Sequence, residues 1–354
     1  MIKHHRPSKL PVEINPTEFY KELTEAALEL GNLNGLQNNL PNPTILIAPL
    51  ITKEATVSSK IEGTQSTVSD VFEFEATGLP KYADTKEVAN YKKAMLLATN
   101  EIDKGLPITL NLIRATHQIL LEGTRGEQYR GKFRDNIVWV GVENAPIDKA
   151  DYIPPEPILV QEYMENLEKY LLENKEHPLI KIGITHYQFE AIHPFNDGNG
   201  RIGRLLIPLY LYWKKILFQP ILYISGYFEK YRNEYINHLK KVDKTGKYEE
   251  WLRFFFISLK NQAKETQRLI YKILHLREQI KEKTEKMKSP YTDKVLETMF
   301  SKPIFKSKDL HIEEPTARRL LSKFVGMGIL KSFAIKGVKG KIYLFPDLID
   351  ILSH

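Results

Sequence analysis

Along most of the chain, apolar residues recur at three- and four-residue spacing rather than in alternation, which predicts helices joined by short polar turns. NPTEFYKELTEAALELGNL, LIAPLITKEATVSSKIEG and KEVANYKKAMLLATNEIDKG each predict a helix in the N-terminal part. In the second, Leu50, Val57 and Ile61 fall on one stripe expected to face the core. Gly63 stands where a left-handed helix cap is expected. LNLIRATHQILLEG predicts a further amphipathic helix, ended by Gly123. The pattern breaks at RGKFRDNIVWVGVENAPIDKADYIPP, residues 130–155, where β-branched and aromatic residues precede turn residues and a Pro-Pro pair; a short hairpin with a loop is expected there.

Helical spacing returns in PILVQEYMENLEKYLLEN and HPLIKIGITHYQFEAI, then in a helix ending at about Lys215, and again from Lys230 to Lys288. The last part of that run, rich in Lys, Glu and Gln, predicts a connector helix. Pro290 marks a boundary as a first-turn proline. Beyond it, helices are expected at 292–300, 306–311 and 315–327, followed by ILKSFAIKGVKGKIYLF, two strand-like runs around a Gly-Lys turn. That order is helix-turn-helix plus hairpin.

Charge separates the same C-terminal part from the rest. The 354-residue chain carries +7, from 51 Lys and Arg against 44 Asp and Glu. Residues 260–354 hold 20 basic against 11 acidic residues, or +9, and the remainder is slightly acidic. Such an excess suits an acidic partner such as nucleic acid, or simply solubility. No apolar run approaches the roughly 20 residues of a membrane helix, and the first residues lack the apolar core of a secretory signal, so a cytoplasmic protein with no membrane partner is expected. With no cysteine, thiolate metal sites and a cysteine nucleophile are excluded.

The densest chemistry lies in HPFNDGNGRIGR, residues 193–204. Ile202, Leu205, Leu206 and Leu209 keep helical spacing, so a helix starts at this loop, and the free N–H groups of its first turn, beside Gly198 and Gly200, suit a phosphate. Arg201 and Arg204 stand close enough on that helix to reach one polyphosphate. Asp197 is placed to hold a Mg²⁺ that also bridges phosphate oxygens. His193 alone in the cluster titrates near neutrality, which makes it the general base. There is no G-x-x-x-x-G-K-[ST] run, which excludes a P-loop ATPase.

HPFNDGNGRIGR resembles the signature of the Fic family, H-[PF]-F-x-[DE]-G-N-G-R-x-x-R, at every defining position. The resemblance implies transfer of a nucleotide monophosphate, most often AMP from ATP, to a Tyr, Thr or Ser hydroxyl of a target protein, with release of pyrophosphate. By it His193 is the base, Asp197 holds Mg²⁺, and Gly198, Asn199 and Gly200 cradle the phosphates. Arg201 and Arg204 neutralise phosphate charge, and Phe195 anchors the loop in the core. The 130–155 hairpin corresponds to the family's flap, whose edge pairs with the target protein.

SSKIEG, residues 58–63, fits the family's inhibitory pattern [ST]-x-x-x-E-[GN] with Ser58, Glu62 and Gly63. In such relatives the glutamate pairs with the second signature arginine, here Arg204; a bidentate pair would keep that arginine from the γ-phosphate. The expected architecture is mainly α: a helical Fic fold with a β-hairpin flap, plus a C-terminal winged helix-turn-helix domain. Residues 1–105 form an N-terminal region carrying the inhibitory helix at about 46–63, 106–260 the Fic core, 261–288 the connector and 289–354 the winged helix. Arg318, Arg319, Lys323, Lys336, Lys339 and Lys341 would face DNA, although such modules also dock proteins. Three readings stand side by side: a self-inhibited adenylyltransferase, a hydrolase that removes AMP using Glu62, and a DNA-binding regulator with a nucleotide-sensing core. A homodimer is compatible with each.

Overall fold

A computed structural model of the protein describes residues 3–38, 44–141, 146–173, 175–287 and 289–354. Most helices form where the 3.6-residue apolar spacing is sustained; in chain order they are α1 (Tyr20–Asn38), α2 (Thr44–Ile61), α3 (Val68–Thr77), α4 (Thr85–Asp103), α5 (Leu110–Leu120), α6 (Pro157–Leu172), α7 (Pro178–Ile192), α8 (Asn199–Trp213), α9 (Ser225–Lys230), α10 (Arg232–Thr245) and α11 (Glu249–Thr284). After these come α12 (Thr292–Ser301), β1 (Ile304–Lys306), α13 (Glu314–Gly326), β2 (Lys331–Phe333), β3 (Ile342–Leu344) and α14 (Pro346–Ser353). Among the described residues, no helix is long and apolar enough to cross a membrane.

Helix α7 is apolar all round and correspondingly buried along almost its whole length, with α6, α8, α10 and α11 against it. Pro178 opens it at the first turn, where a missing N–H costs nothing, and His177 accepts the Leu179 N–H. Its far end is therefore fixed at the centre of the molecule, where the signature loop begins. Helix α11 runs unbroken past residue 261 and keeps a buried stripe from Trp251 to Thr284; Lys288 lies outside the described residues.

Helix α2 differs from the expected single stripe. Leu50 and Ile61 are buried, but Val57 is only half-buried, and Thr52, Lys53, Glu54, Thr56, Ser58 and Ser59 are buried as well. The cause is packing on several sides: α4, α9 and α12 lie against it, with α3, α8 and α14 also in contact. Its inward polar groups find partners. Lys53 donates to the Leu352 carbonyl of α14 at 2.6 Å, and the Glu54 carboxylate accepts the Ser225 N–H at 3.0 Å and its hydroxyl at 2.5 Å. Burial still pushes the Glu54 carboxyl up to about 7.

Three helices and one strand lie outside the periodic segments expected from sequence: α3, the six-residue α9, α14 and β1. Helix α3 is short, and its signal is the Thr67/Asp70 capping box with left-handed Gly78 at the other end. Helix α14 has only eight residues. Strand β1 follows Pro303 and is recognisable only through its partner, because β3 pairs antiparallel with both β1 and β2 in the order β1-β3-β2. The short helix expected at 306–311 is a 3₁₀ turn, Ser307–Leu310.

The flap is less regular than a hairpin ladder. A single antiparallel bridge joins Val140 to Tyr152 among the described residues, and residues 142–145 lie outside them. Pro146, Pro154 and Pro155 remove donors that a ladder would need, and Ile137, Trp139 and Val140 are exposed.

Candidate active site

The end of α7, His193, and Gly200 and Arg204 of α8 form one wall of a cleft of about 410 Å³, closed on other sides by the flap, the end of α2 and α10. The chain turns at His193 through a left-handed conformation (φ 49°) while its N–H still bonds to the Phe189 carbonyl. That turn brings the imidazole into the cleft beside Glu62, Gly200 and Arg204. Desolvation pushes His193 down to about 4; Glu62 pulls it up and Arg134 pushes it further down. The ring is thus neutral, and able to accept a proton, throughout the physiological range.

The loop is held from inside. Phe195 is fully buried and stacks on His117 with ring centroids 3.7 Å apart. His117 Nδ1 accepts the Gly131 N–H, which leaves its Nε2–H to donate to the Asp197 carbonyl at 2.9 Å. Burial pushes this histidine down to about 4, so it too is neutral. The Asn199 side chain points inward and clamps Phe195, accepting its N–H and donating to its carbonyl, both at 2.8 Å. What Asn199 and Gly200 turn to the cleft is backbone. Replacing Asn199 by alanine strands two buried backbone groups, and a loss of about 2–4 kcal/mol in urea unfolding is expected.

Gly198, left-handed at φ 79°, precedes α8, and no side chain caps that helix. Its first-turn N–H groups have no intrahelical acceptor and stay available to an anion. A Cβ at Gly200 would stand 2.2 Å from Glu62 Oε1 and displace that carboxylate.

The two arginines serve different partners. Arg201, 3% exposed, donates to Glu87 of α4 at 2.6 Å and to Asp197 Oδ1 at 2.9 Å, with its Nε unpartnered. Arg204, 2% exposed, is held by the end of α2: Nε to Ser58 Oγ at 2.9 Å, and one terminal nitrogen to the Ser58 carbonyl at 2.8 Å and Glu62 Oε1 at 2.6 Å. The bidentate Glu62 pair expected from sequence is a single contact, and Ser58 takes Nε and shares the Glu62-bound nitrogen. Glu62 itself sits one residue past α2 in the turn closed by Gly63 (φ 94°), its side chain 41% exposed. Burial would raise its carboxyl, but Arg204, helped by Arg201 and His193, holds it below the usual carboxylate range.

The structure therefore brings Ser58, Glu62, His193, Gly200 and Arg204 together, while Asp197, Gly198, Asn199 and Arg201 form the adjoining loop and helix start, and Phe195 lies beneath them. Asp197 is a single, one-third-exposed carboxylate, and no group of three His, Asp or Glu side chains suited to a metal occurs among the described residues. This donor set fits a Mg²⁺ that takes most of its shell from phosphate and water, and does not fit an all-protein cage. Sequence reasoning missed Arg134, His117, Glu87, Tyr152 and Glu190. His186, read as a core group, bonds to the Gly203 carbonyl and the Tyr235 hydroxyl.

Residues 20–100 match the model of the Fic/DOC family N-terminal region, and residues 107–211 match that of the Fic/DOC family. A protein adenylyltransferase Fic of Nematostella vectensis is 32% identical over 30% of this chain and 23% of its own length; one of Drosophila yakuba is 29% identical over 48% and 31%. The chain thus spans about a quarter to a third of the curated relatives it matches. In fold it is similar to a Fic family protein from Desulfovibrio desulfuricans G20, with a TM-score of 0.61 at 21% identity over 96% of this chain and 98% of that one. Fic-1 from C. elegans gives 0.53 at 19% identity over 70% and 72%. With two successive models of one family matched across more than half of its residues, and the signature loop built into a single cleft, the chain belongs to the Fic/DOC family.

Proposed function

We propose that the protein transfers AMP from ATP to a hydroxyl group of a target protein and is self-inhibited by Glu62. The observation that carries this reading is the convergence in one cleft of a neutral His193, the uncapped start of α8, and an Arg204 already engaged by Ser58 and Glu62. The N–H groups at the start of α8 bind the phosphates. His193 takes the proton of the target hydroxyl as its oxygen bonds to the α-phosphorus. The bond from that phosphorus to the bridging oxygen of the β-phosphate breaks, and pyrophosphate leaves with the bonding electrons. Asp197, kept in place by Arg201 and the Gly198 N–H, would hold Mg²⁺, which supplies charge neutralisation to the phosphates. In the inhibited state Arg204 is unavailable to the γ-phosphate, so ATP binds weakly or with its α-phosphorus misaimed.

The test is transfer of label from α-labelled ATP with Mg²⁺ to the purified protein itself, comparing wild type, Glu62→Gly, and Glu62→Gly with His193→Ala. Label confined to Glu62→Gly supports both parts of the reading. A Glu62→Gly variant that transfers no label from any nucleotide sinks it.

We propose further that residues 289–354 form a winged helix that binds DNA. What favours this is the order helix, strand, turn, helix and two strands, with Arg318, Arg319 and Lys323 exposed on α13 and Lys336, Lys339 and Lys341 exposed between β2 and β3. Fluorescence anisotropy with duplex DNA should give affinities that fall steeply with salt, and Arg319→Glu with Lys323→Glu should flatten that slope by about two ion equivalents. Equal affinity of this variant and wild type at every salt concentration would overturn it.

A further inference from the structure

The last carbonyls of α7 have no intrahelical donors, and the flap supplies them. Tyr152 donates its hydroxyl to the Ala191 carbonyl at 2.7 Å. Arg134 takes the next two, with Nε to His193 O at 2.7 Å and a terminal nitrogen to Ile192 O at 3.3 Å. The same guanidinium reaches Pro155 O at 2.6 Å and Asn136 O at 3.3 Å, and the Arg134 backbone N–H bonds to Pro194 O at 2.9 Å. The residue is 3% exposed, and among the described residues no carboxylate forms an ion pair with it. A buried cation bonded only to carbonyls is costly, and burial pushes its pKa down to about 10. The negative end of α7 offsets part of that cost. Only a planar guanidinium has donors diverging widely enough to reach acceptors on both the flap and the helix.

We propose that Arg134 is a positioning residue for the transfer: one guanidinium fixes the backbone of His193 and both roots of the flap, Asn136 and Pro155, in a single geometry. The inference rests on the transfer reading above. His193 occupies a left-handed conformation that non-glycine residues adopt at a cost, and the Arg134 contact to its carbonyl holds it there. A target segment lying along the flap then meets the base at a set distance. ATP binding, by contrast, depends on the start of α8, which Arg134 does not touch.

Arg134→Lys and Arg134→Gln, each in the Glu62→Gly protein, separate the alternatives. Self-labelling is followed against the concentration of α-labelled ATP with Mg²⁺, alongside hydrogen exchange of the full chain. The saturating rate should fall about 100-fold in both variants, the loss expected of a misplaced reacting group, while the half-saturating ATP concentration stays within about threefold. Lysine should fail to rescue, because an ammonium cannot reach both sets of carbonyls. The amides of His193 and Val140, bonded to Phe189 O and Tyr152 O, should exchange faster. His193 faces Glu62 in the turn after α2, the backbone of Glu190 on its own helix, Asp197 in the loop and Arg134 from the flap. Its ring titration, read by NMR, should move to higher pH in the glutamine variant, where one cation is lost, and stay in place in the lysine variant.

A saturating rate within threefold of the parent in both variants overturns the proposal. So does a loss shared equally between rate and ATP affinity together with a lowered melting temperature, which marks a purely structural residue. If the Glu62→Gly parent transfers no label, the transfer reading has failed, and Arg134 is judged by exchange and titration alone, with no change in either counting against it.

Discussion

Glu62→Gly is expected to raise AMP transfer about 10–100-fold, the range of a coupling worth about 1–3 kcal/mol. Glu62 holds Arg204 through one oxygen, and removing it leaves Arg204 bonded to Ser58 Oγ and the Ser58 carbonyl. Those neutral acceptors keep the guanidinium pointed at the cleft without cancelling its charge. The γ-phosphate then gains a charged partner already in place. The same change should lower stability by about 1–2 kcal/mol, less than the ~3–5 kcal/mol of a fully buried pair, because the Glu62 side chain is 41% exposed. Because Arg204 holds the Glu62 carboxyl below its unfolded value, this stabilisation is present above the usual carboxylate pKa and is lost as pH falls through the depressed value. Urea unfolding of the two proteins should therefore differ at pH 7 and converge in acid. An unchanged transfer rate with the stability loss present would leave Glu62 as an ordinary structural partner of Arg204.

His193→Ala in the Glu62→Gly protein should reduce transfer by roughly 10²–10⁴-fold, the contribution of a positioned general base, with ATP binding retained because the phosphate-facing N–H groups belong to α8. The pH profile gives an independent check. With desolvation pushing His193 down to about 4, the base stays unprotonated from pH 8 to pH 5, and kcat/KM should show no acidic limb there. An exposed histidine would lose activity from about pH 6.5. Bound ATP adds negative charge near the ring, so any acidic limb should stand higher in kcat than in kcat/KM.

The signature residues were legible because a contiguous loop ending in a helix carries its own geometry: the left-handed Gly198 and the start of α8 at Asn199 follow from local sequence. Glu62 and Arg204, far apart in the chain, could be paired only through family resemblance, and the Ser58 bonds to the same arginine had no sequence signal. The groups that hold the site were not legible at all. His117 sits on an amphipathic helix where a buried histidine resembles any half-polar position, and only the fold places it on Phe195 and the Asp197 carbonyl. Arg134 stands in a non-periodic stretch, and its acceptors are backbone carbonyls that leave no trace in side-chain identity. Periodicity likewise gave α2 one buried stripe where tertiary packing buries polar residues on its other faces, and it gave no sign of β1, which exists through pairing with β3.

The burial of α2 constrains how the self-inhibition proposed above could be relieved. Withdrawing the helix would break the Lys53 link to α14, strip Glu54 of its Ser225 partners and expose Leu50, Ile51 and Ala55 to water, a cost comparable to opening much of the fold. The Glu62 carboxylate, by contrast, needs only a change of its own rotamer to leave Arg204. Under the self-inhibition proposed above, release is then a side-chain event at one guanidinium, while α2 itself stays in place.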